Sequence, residues 1–224
     1  MAAIKLVIWD YDGTLCDTHH TIAHSLRRSF EVHGLPMPAD DAVNAVIAAG
    51  YTLHGSISHL HGLMGGQPLP EVMLEEMVMS YRRIYDDEGG QFLRLFPEVI
   101  TVLDKLRAQH MPMMIASNKG VEVVRRSVAH YGIADYFQLI VGEQTGQPKK
   151  PDAALLTGYI QPHFPTIDPA QMLMVGDTPT DIEFAHAAGL ASCWASYGYG
   201  DQQRCIQLKP RWRIEALPEL LALI

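Results

Sequence analysis

Short apolar runs alternate with amphipathic stretches along most of the chain. The runs at residues 4–9 and 172–175 are continuous and rich in Ile, Leu, Met and Val, which is typical of strands buried on both faces. Further strands are predicted at residues 113–116, 137–141 and 191–195, and helices at residues 97–109, at residues 121–131 and after Pro151. This alternation predicts βαβ crossovers and one parallel sheet with helices on both faces, an α/β fold.

A different pattern occupies residues 17–89. Ile22, Leu26 and Phe30 recur at the four-residue spacing of one helix face, and residues 40–49 and 71–85 are amphipathic in the same way. No strand-turn-strand signal interrupts this segment. We therefore expect a helical cap domain of residues 17–89, inserted after the first strand of a core domain that comprises residues 1–16 and 90–224.

Four acidic residues mark the ends of two predicted strands. Asp10 and Asp12 follow the first apolar run, Asp177 follows the run at residues 172–175, and Asp181 begins an amphipathic helix. Open α/β sheets bind their ligands at the carboxyl ends of the strands, so we expect these acids to meet there. Carboxylates brought together repel each other unless a cation lies between them, and hard oxygen ligands suit Mg²⁺. The sequence therefore predicts a magnesium site.

Composition narrows the class of protein. The 224 residues, of which 48% are hydrophobic, suffice for one substantial core and a modest additional module. A formal net charge of -8 argues against a general nucleic-acid or anionic-membrane surface. The three cysteines lack metal-ligand spacing and favour a reducing compartment, and no signal-peptide or transmembrane pattern is present. We therefore expect a cytoplasmic protein that binds neither nucleic acid nor membrane.

Four short motifs follow one another along the chain. D-x-D-G-T begins at Asp10, a strand pattern ends at Ser117 and Asn118, Lys150 precedes a proline, and G-D-x-x-x-D spans residues 176–181. In this order and spacing they resemble the motifs of the haloacid dehalogenase superfamily, and the resemblance covers nearly the whole chain. It implies a Rossmann-like core. The helical insert after the first motif is similar in position to the cap of the C1-capped group, which includes phosphoglycolate phosphatases.

The resemblance also implies a role for each motif residue. Asp10 would attack phosphorus and form an aspartyl phosphate, while Asp12 would protonate the leaving alcohol and later deprotonate the hydrolytic water. Mg²⁺ would be held by Asp10, by the backbone carbonyl of Asp12 and by Asp177, with Asp181 as a direct or water-mediated supporter. The other phosphoryl oxygens would be bound by Ser117, Asn118, Lys150 and the loop amides near Thr14.

The implied function is Mg²⁺-dependent hydrolysis of a small-molecule phosphate monoester, such as a phosphoglycolate-like compound or a sugar phosphate. A phosphosugar mutase, a pyrophosphatase or a phosphonate hydrolase of the same fold is the alternative, and a catalytically silent binding module is a third. Retention of the acid at position 12 argues against dehalogenation, and the lack of any lysine between Asp17 and Tyr81 argues against phosphonate hydrolysis. The oligomeric state, monomer or homodimer, is left open.

The segment from His54 to His61 carries three histidines among Gly and Ser residues. Several imidazoles close together can bind Zn²⁺, but this spacing lacks a fourth ligand of defined type. We therefore interpret the segment as a loop of the cap, and leave open whether it contacts the substrate and sets specificity or is only solvated.

Overall fold

The computed structural model describes residues 3–90 and 93–224. Six parallel strands form its main sheet. In chain order they are β1 (Leu6–Trp9), β4 (Met113–Gly120), β5 (Leu139–Glu143), β6 (Met172–Gly176), β7 (Ala191–Ala195) and β8 (Trp212–Ile214). Their spatial order in the sheet is β5-β4-β1-β6-β7-β8. The chain adds β4 and β5 on one side of β1 and then β6 to β8 on the other. Ligands of such sheets bind where the direction of winding reverses, which here is at the carboxyl ends of β1, β4 and β6.

The sheet is held by apolar side chains on both of its faces. Leu6 and Ile8 of β1 belong to one core cluster with Met114 of β4, Met174 of β6 and Phe184. The alternate residues of β1, at positions 7 and 9, are also fully buried. Strands buried on both faces need continuous apolar sequences, which explains the pattern of the predicted runs. The prediction of a helix-covered parallel α/β sheet is confirmed.

Helices of the same unit connect the strands. They are α5 (Val99–Ala108), α6 (Val121–His130), α7 (Pro179–Ala188) and α8 (Gln202–Leu208). The helix predicted after Pro151 is irregular, because Leu156–Ile160 form a π-helical turn that a 3₁₀ turn at Gln161–His163 continues. Both α8 and β8 follow residue 195, where the last element predicted from the sequence ends.

A second compact unit, Asp17–Arg94, is helical. Its helices are α1 (His19–Val32), α2 (Asp40–Ala48), α3 (Leu53–Leu63) and α4 (Glu71–Glu88). Helix α1 packs against α2 and α4, and α3 packs against both α2 and α4. The first unit comprises Met1–Cys16 and Leu95–Ile224. Two short strands, β2 (Cys16–Asp17) and β3 (Arg94–Leu95), pair where the chain passes from one unit to the other.

The interpretation of the histidine-containing segment as a loop is wrong. Residues 54–61 lie inside α3, whose first turn is capped by Thr52, since its hydroxyl accepts a hydrogen bond from the backbone N–H of Gly55 at 3.2 Å. Burial of Ile57 and Leu60 on one face of α3 outweighs the low helix propensity of its glycines. The imidazole of His54 contacts the carboxylate of Glu75 on α4 at 2.9 Å.

Within the described residues, no helix combines the length and the hydrophobicity that crossing a lipid bilayer requires.

Truncation of Ile8 should show how strongly the first unit depends on its core. Ile8→Ala removes a fully buried side chain from the central strand, and such changes cost about 2–5 kcal/mol because a cavity is left. Ile100→Ala is the matched control, because Ile100 on α5 is 49% exposed. Urea denaturation should show a large loss of stability for the first variant and a small one for the second. Equal losses would contradict the described core.

Candidate active site

Three acidic side chains converge at the carboxyl edge of the sheet. Asp10 follows β1, Asp177 follows β6, and Asp181 lies in the first turn of α7. Because β1 and β6 are neighbours in register, with Trp9 opposite Val175, the two strand ends bring their acids together. One carboxylate oxygen from each of the three acids lies within 4.8 Å of the other two, and all three residues are buried.

The side chain of Lys150 enters this acidic group. Its Nζ lies 2.9 Å from Oδ1 of Asp10 and donates a hydrogen bond to Oδ1 of Asp181 at 2.6 Å. The amide Nδ2 of Asn118 donates to the backbone carbonyl of Lys150 at 3.0 Å and so links the lysine to β4. Three carboxylates and one ammonium leave a formal charge of minus two inside the protein. A divalent cation would neutralise this charge.

Burial and mutual repulsion change how these acids titrate. Burial raises the pKa of Asp10 to about 7; Lys150 opposes this rise, and the neighbouring Asp181 adds to it. The pKa of Asp177 is raised well above its ordinary value, first by burial and then by Asp10 and Asp181. The two carboxylates outweigh burial at Lys150 and raise its pKa. Hard oxygen donors with uncompensated negative charge are what a Mg²⁺ site requires, so the residues present fit that ion.

Hydrogen bonds orient two of the acids. Oδ2 of Asp177 accepts the backbone N–H of Tyr199 at 2.8 Å, and its Oδ1 accepts the hydroxyl of Thr14 at 3.3 Å. Oδ2 of Asp181 accepts the backbone N–H of Thr178 at 3.0 Å and the hydroxyl of Thr178 at 2.7 Å. The first of these two bonds is one half of the capping box of α7, in which the side chain of Thr178 also accepts the backbone N–H of Asp181. Asp181 therefore both starts the helix and pairs with Lys150.

The other acid of the first motif has different surroundings. The carboxylate of Asp12 accepts two hydrogen bonds from Nζ of Lys119, at 3.0 and 3.2 Å. Lys119 lies on β4, two residues after Ser117, whose hydroxyl accepts the backbone N–H of Lys119 at 3.3 Å. Strand β4 continues to Gly120, with a register shift after Ala116, and this extension carries Ser117, Asn118 and Lys119 to the acidic edge.

Sequence reasoning missed two of these residues. Lys119 directly follows Ser117 and Asn118. A cationic side chain next to two residues expected to bind phosphate could have indicated that Lys119 belongs to the site. Tyr199 was missed because it acts through its backbone N–H, which no side-chain pattern reveals. The hydroxyl of Thr14 donates a hydrogen bond to Asp177. The sequence predicted a role only for the loop amides near Thr14, as ligands of the phosphoryl oxygens.

Comparison with known proteins gives this site its context. The family model for haloacid dehalogenase-like hydrolases matches residues 7–195. A phosphoglycolate phosphatase from Neisseria meningitidis is 31% identical, over 97% of this chain and 92% of its own. A phosphoglycolate phosphatase from Vibrio parahaemolyticus is 28% identical, over 99% of this chain and 96% of its own. The crystal structure of a predicted phosphoglycolate phosphatase from Haemophilus somnus superimposes with a TM-score of 0.86, at 26% identity and over 100% and 99% of the two chains.

The family model spans most of the chain, and the acids and the lysine at the sheet edge lie in the motifs that carried the resemblance. The chain therefore belongs to the haloacid dehalogenase-like hydrolases, and within them it is a phosphatase of the phosphoglycolate-phosphatase-like type.

Proposed function

We propose that this protein hydrolyses a small phosphate monoester, such as a phosphoglycolate-like compound or a sugar phosphate, through an aspartyl phosphate on Asp10. The observation that carries this proposal is the position of Asp10, which is buried at the end of β1 between Lys150 and two further acids. The phosphoglycolate phosphatases among its relatives match nearly the full length of the chain, and this supports the substrate class.

Asp10 is the nucleophile in this proposal. Its Oδ1 lies 2.9 Å from Nζ of Lys150, which holds the carboxylate beside a group that would also attract the phosphoryl oxygens of the substrate. Lys150, Ser117, Asn118 and the loop amides near Thr14 bind the phosphoryl oxygens as negative charge develops on them. A preformed arrangement of this kind contributes to catalysis because it requires no reorganisation at the moment of reaction.

Asp10, Asp177 and the backbone carbonyl of Asp12 would hold Mg²⁺, with Asp181 binding it directly or through water. The bound ion supplies positive charge that neutralises the phosphoryl oxygens and lessens the repulsion between phosphate and carboxylate. Both oxygens of Asp181 already accept hydrogen bonds, one from Lys150 and the others from Thr178.

Asp12 transfers the protons. It protonates the oxygen of the leaving alcohol in the first step and deprotonates the water that cleaves the aspartyl phosphate in the second. Its carboxylate is 22% exposed and bound to Lys119, so it lies close to solvent and has a fixed position. The nucleophile, by contrast, is 9% exposed, as suits a group that reacts away from bulk water.

An activity panel tests the proposal. Purified protein would be assayed with Mg²⁺ against glycolate phosphates, sugar phosphates, nucleotides, pyrophosphate and phosphonates, ranked by kcat/KM. We expect phosphate monoesters of small organic acids or sugars to rank first. Preference for pyrophosphate or for a phosphonate would contradict the proposed substrate class. No turnover of any compound would contradict the proposed activity.

Substitution of the two acids of the first motif should give different kinetic results. Asp10→Asn removes the nucleophile, so neither turnover nor a phosphorylated protein should be detectable. Asp12→Asn should still form an aspartyl phosphate from an aryl phosphate, whose leaving group needs little protonation, but should hydrolyse it slowly. An alkyl phosphate needs both proton transfers, each worth roughly a hundredfold to ten-thousandfold in rate.

Rapid quench followed by hydroxylamine treatment would detect the phosphorylated protein, and steady-state rates would be measured with both substrates. A phosphorylated Asp10→Asn protein would move the nucleophile to another residue. Parental activity of Asp12→Asn on an alkyl phosphate would exclude Asp12 from proton transfer.

The stability of the metal-free protein should fall as pH rises. The pKa of Asp10 is about 7 in the folded protein against an ordinary value of 3.8, so the folded state binds more protons between these values. The free energy of unfolding then decreases from about pH 4 to about pH 7. Thermal unfolding in a chelator should show this fall, and Asp10→Asn should reduce it. The matched control is Glu76→Gln, at an exposed position of α4.

Saturating Mg²⁺ should oppose the same loss. A ligand that binds only the folded state stabilises it by about 2.7 kcal/mol at a hundred times its Kd. A parent protein whose stability did not respond to pH or to Mg²⁺ would contradict the described electrostatics of the acidic group.

A further inference from the structure

A short loop after β7 surrounds Asp177. We name residues 197–200, which are Tyr197, Gly198, Tyr199 and Gly200, the tyrosine–glycine loop. The backbone N–H of Tyr199 donates to Oδ2 of Asp177 at 2.8 Å. Just before the loop, Nε1 of Trp194 donates to the backbone carbonyl of Asp177 at 3.1 Å. Strand β7 and the residues that follow it therefore hold both the side chain and the backbone of Asp177 in place.

The two glycines permit this close approach. A Cβ atom on Gly198 would lie 2.3 Å from Cβ of Asp177 and 2.4 Å from the carbonyl oxygen of Gly13. A Cβ atom on Gly200 would lie 1.9 Å from the carbonyl oxygen of Asp177. Real Cβ atoms do not approach other atoms this closely, so any other residue at either position would displace the loop from Asp177.

The two phenols tie the same loop to the turn that follows β1. The hydroxyl of Tyr197 donates to the carbonyl of Thr14 at 2.9 Å, and the hydroxyl of Tyr199 donates to the carbonyl of Cys16 at 3.3 Å. The ring of Phe96 packs edge-on against Tyr197, with ring centroids 5.1 Å apart. The tyrosine–glycine loop therefore contacts both segments that supply acids to the site, the turn after β1 and the end of β6.

We propose that the tyrosine–glycine loop is a positioning segment that sets the affinity of the site for its divalent cation. This inference rests on the proposed function, in which Asp177 is a metal ligand. The Tyr199 N–H selects one orientation of the Asp177 carboxylate. Tyr197 fixes the distance between Asp177 and the turn that carries Asp10 and Asp12. Groups that orient metal ligands in this way typically change metal affinity by about 10–100-fold when they are altered.

Metal binding in the absence of substrate tests the inference. Mn²⁺ would be titrated into the parent protein and three variants, and the concentration of free Mn²⁺ would be measured by electron paramagnetic resonance. Gly198→Ala introduces the clash with Asp177, and Tyr197→Phe removes only the hydroxyl that reaches Thr14. Gly158→Ala is the matched control, because a Cβ at Gly158 would meet no atom within 4 Å.

We expect the Kd for Mn²⁺ to rise about tenfold or more in Gly198→Ala, to rise about two- to tenfold in Tyr197→Phe, and to stay unchanged in Gly158→Ala. Weaker metal binding should lower the activity of Tyr197→Phe at low Mg²⁺ concentrations, and the activity should return as the Mg²⁺ concentration is raised. A general loss of stability would not produce this recovery. If Gly198→Ala does not fold, Tyr197→Phe alone decides the outcome.

Two results would count against the inference in different ways. A parent protein that binds no Mn²⁺ would contradict the proposed metal site and the inference together. A parent protein that binds Mn²⁺ with the same Kd as the folded loop variants would leave the proposed function intact and overturn the role of the tyrosine–glycine loop.

Discussion

Repulsion among Asp10, Asp177 and Asp181 is the constraint on which the rest of the structure depends. One oxygen of each lies within 4.8 Å of the others, in a buried position where charges are poorly screened. Lys150 offsets one of the three charges, so a formal charge of minus two remains. Burial first, and then the neighbouring carboxylates, raise the pKa values of Asp10 and Asp177. An arrangement of this kind persists only where the surrounding structure determines it, and a bound cation would offset its cost.

The sheet holds Asp10 and Asp177 in this arrangement. Strands β1 and β6 are buried on both faces and paired residue by residue, so the backbone positions of Asp10 and Asp177 are set by apolar packing several residues away. Asp181 is fixed differently, because it completes the capping box that begins α7. Packing of the core thus holds the backbones of the acids in proximity, and local hydrogen bonds such as those of Asp177 with Thr14 and Tyr199 then orient the carboxylates.

Apolar runs predicted β1 and β6 because strands buried on both faces must be continuously hydrophobic, and their ends then located Asp10 and Asp177. Helix α3 was not predicted, because glycines and histidines weaken a local helix signal that the burial of Ile57 and Leu60 overrides. The pairing of Lys119 with Asp12 joins residues 107 positions apart through the register of β1 and β4, which no local pattern encodes.

The surroundings of Asp10 and Asp12 differ although one residue separates them, and this difference agrees with the separate roles proposed for them. Asp10 points into a group with excess negative charge, where burial favours its neutral form until a cation binds. Asp12 turns to Lys119 at a position with partial solvent access, and this ion pair carries no net charge. In the proposed mechanism, cation binding would favour the ionised form of Asp10, which is the form that attacks phosphorus. The turn after β1 places its two acids beside partners from different elements, Lys150 for Asp10 and Lys119 for Asp12, and this difference is the physical basis of the two roles proposed for them.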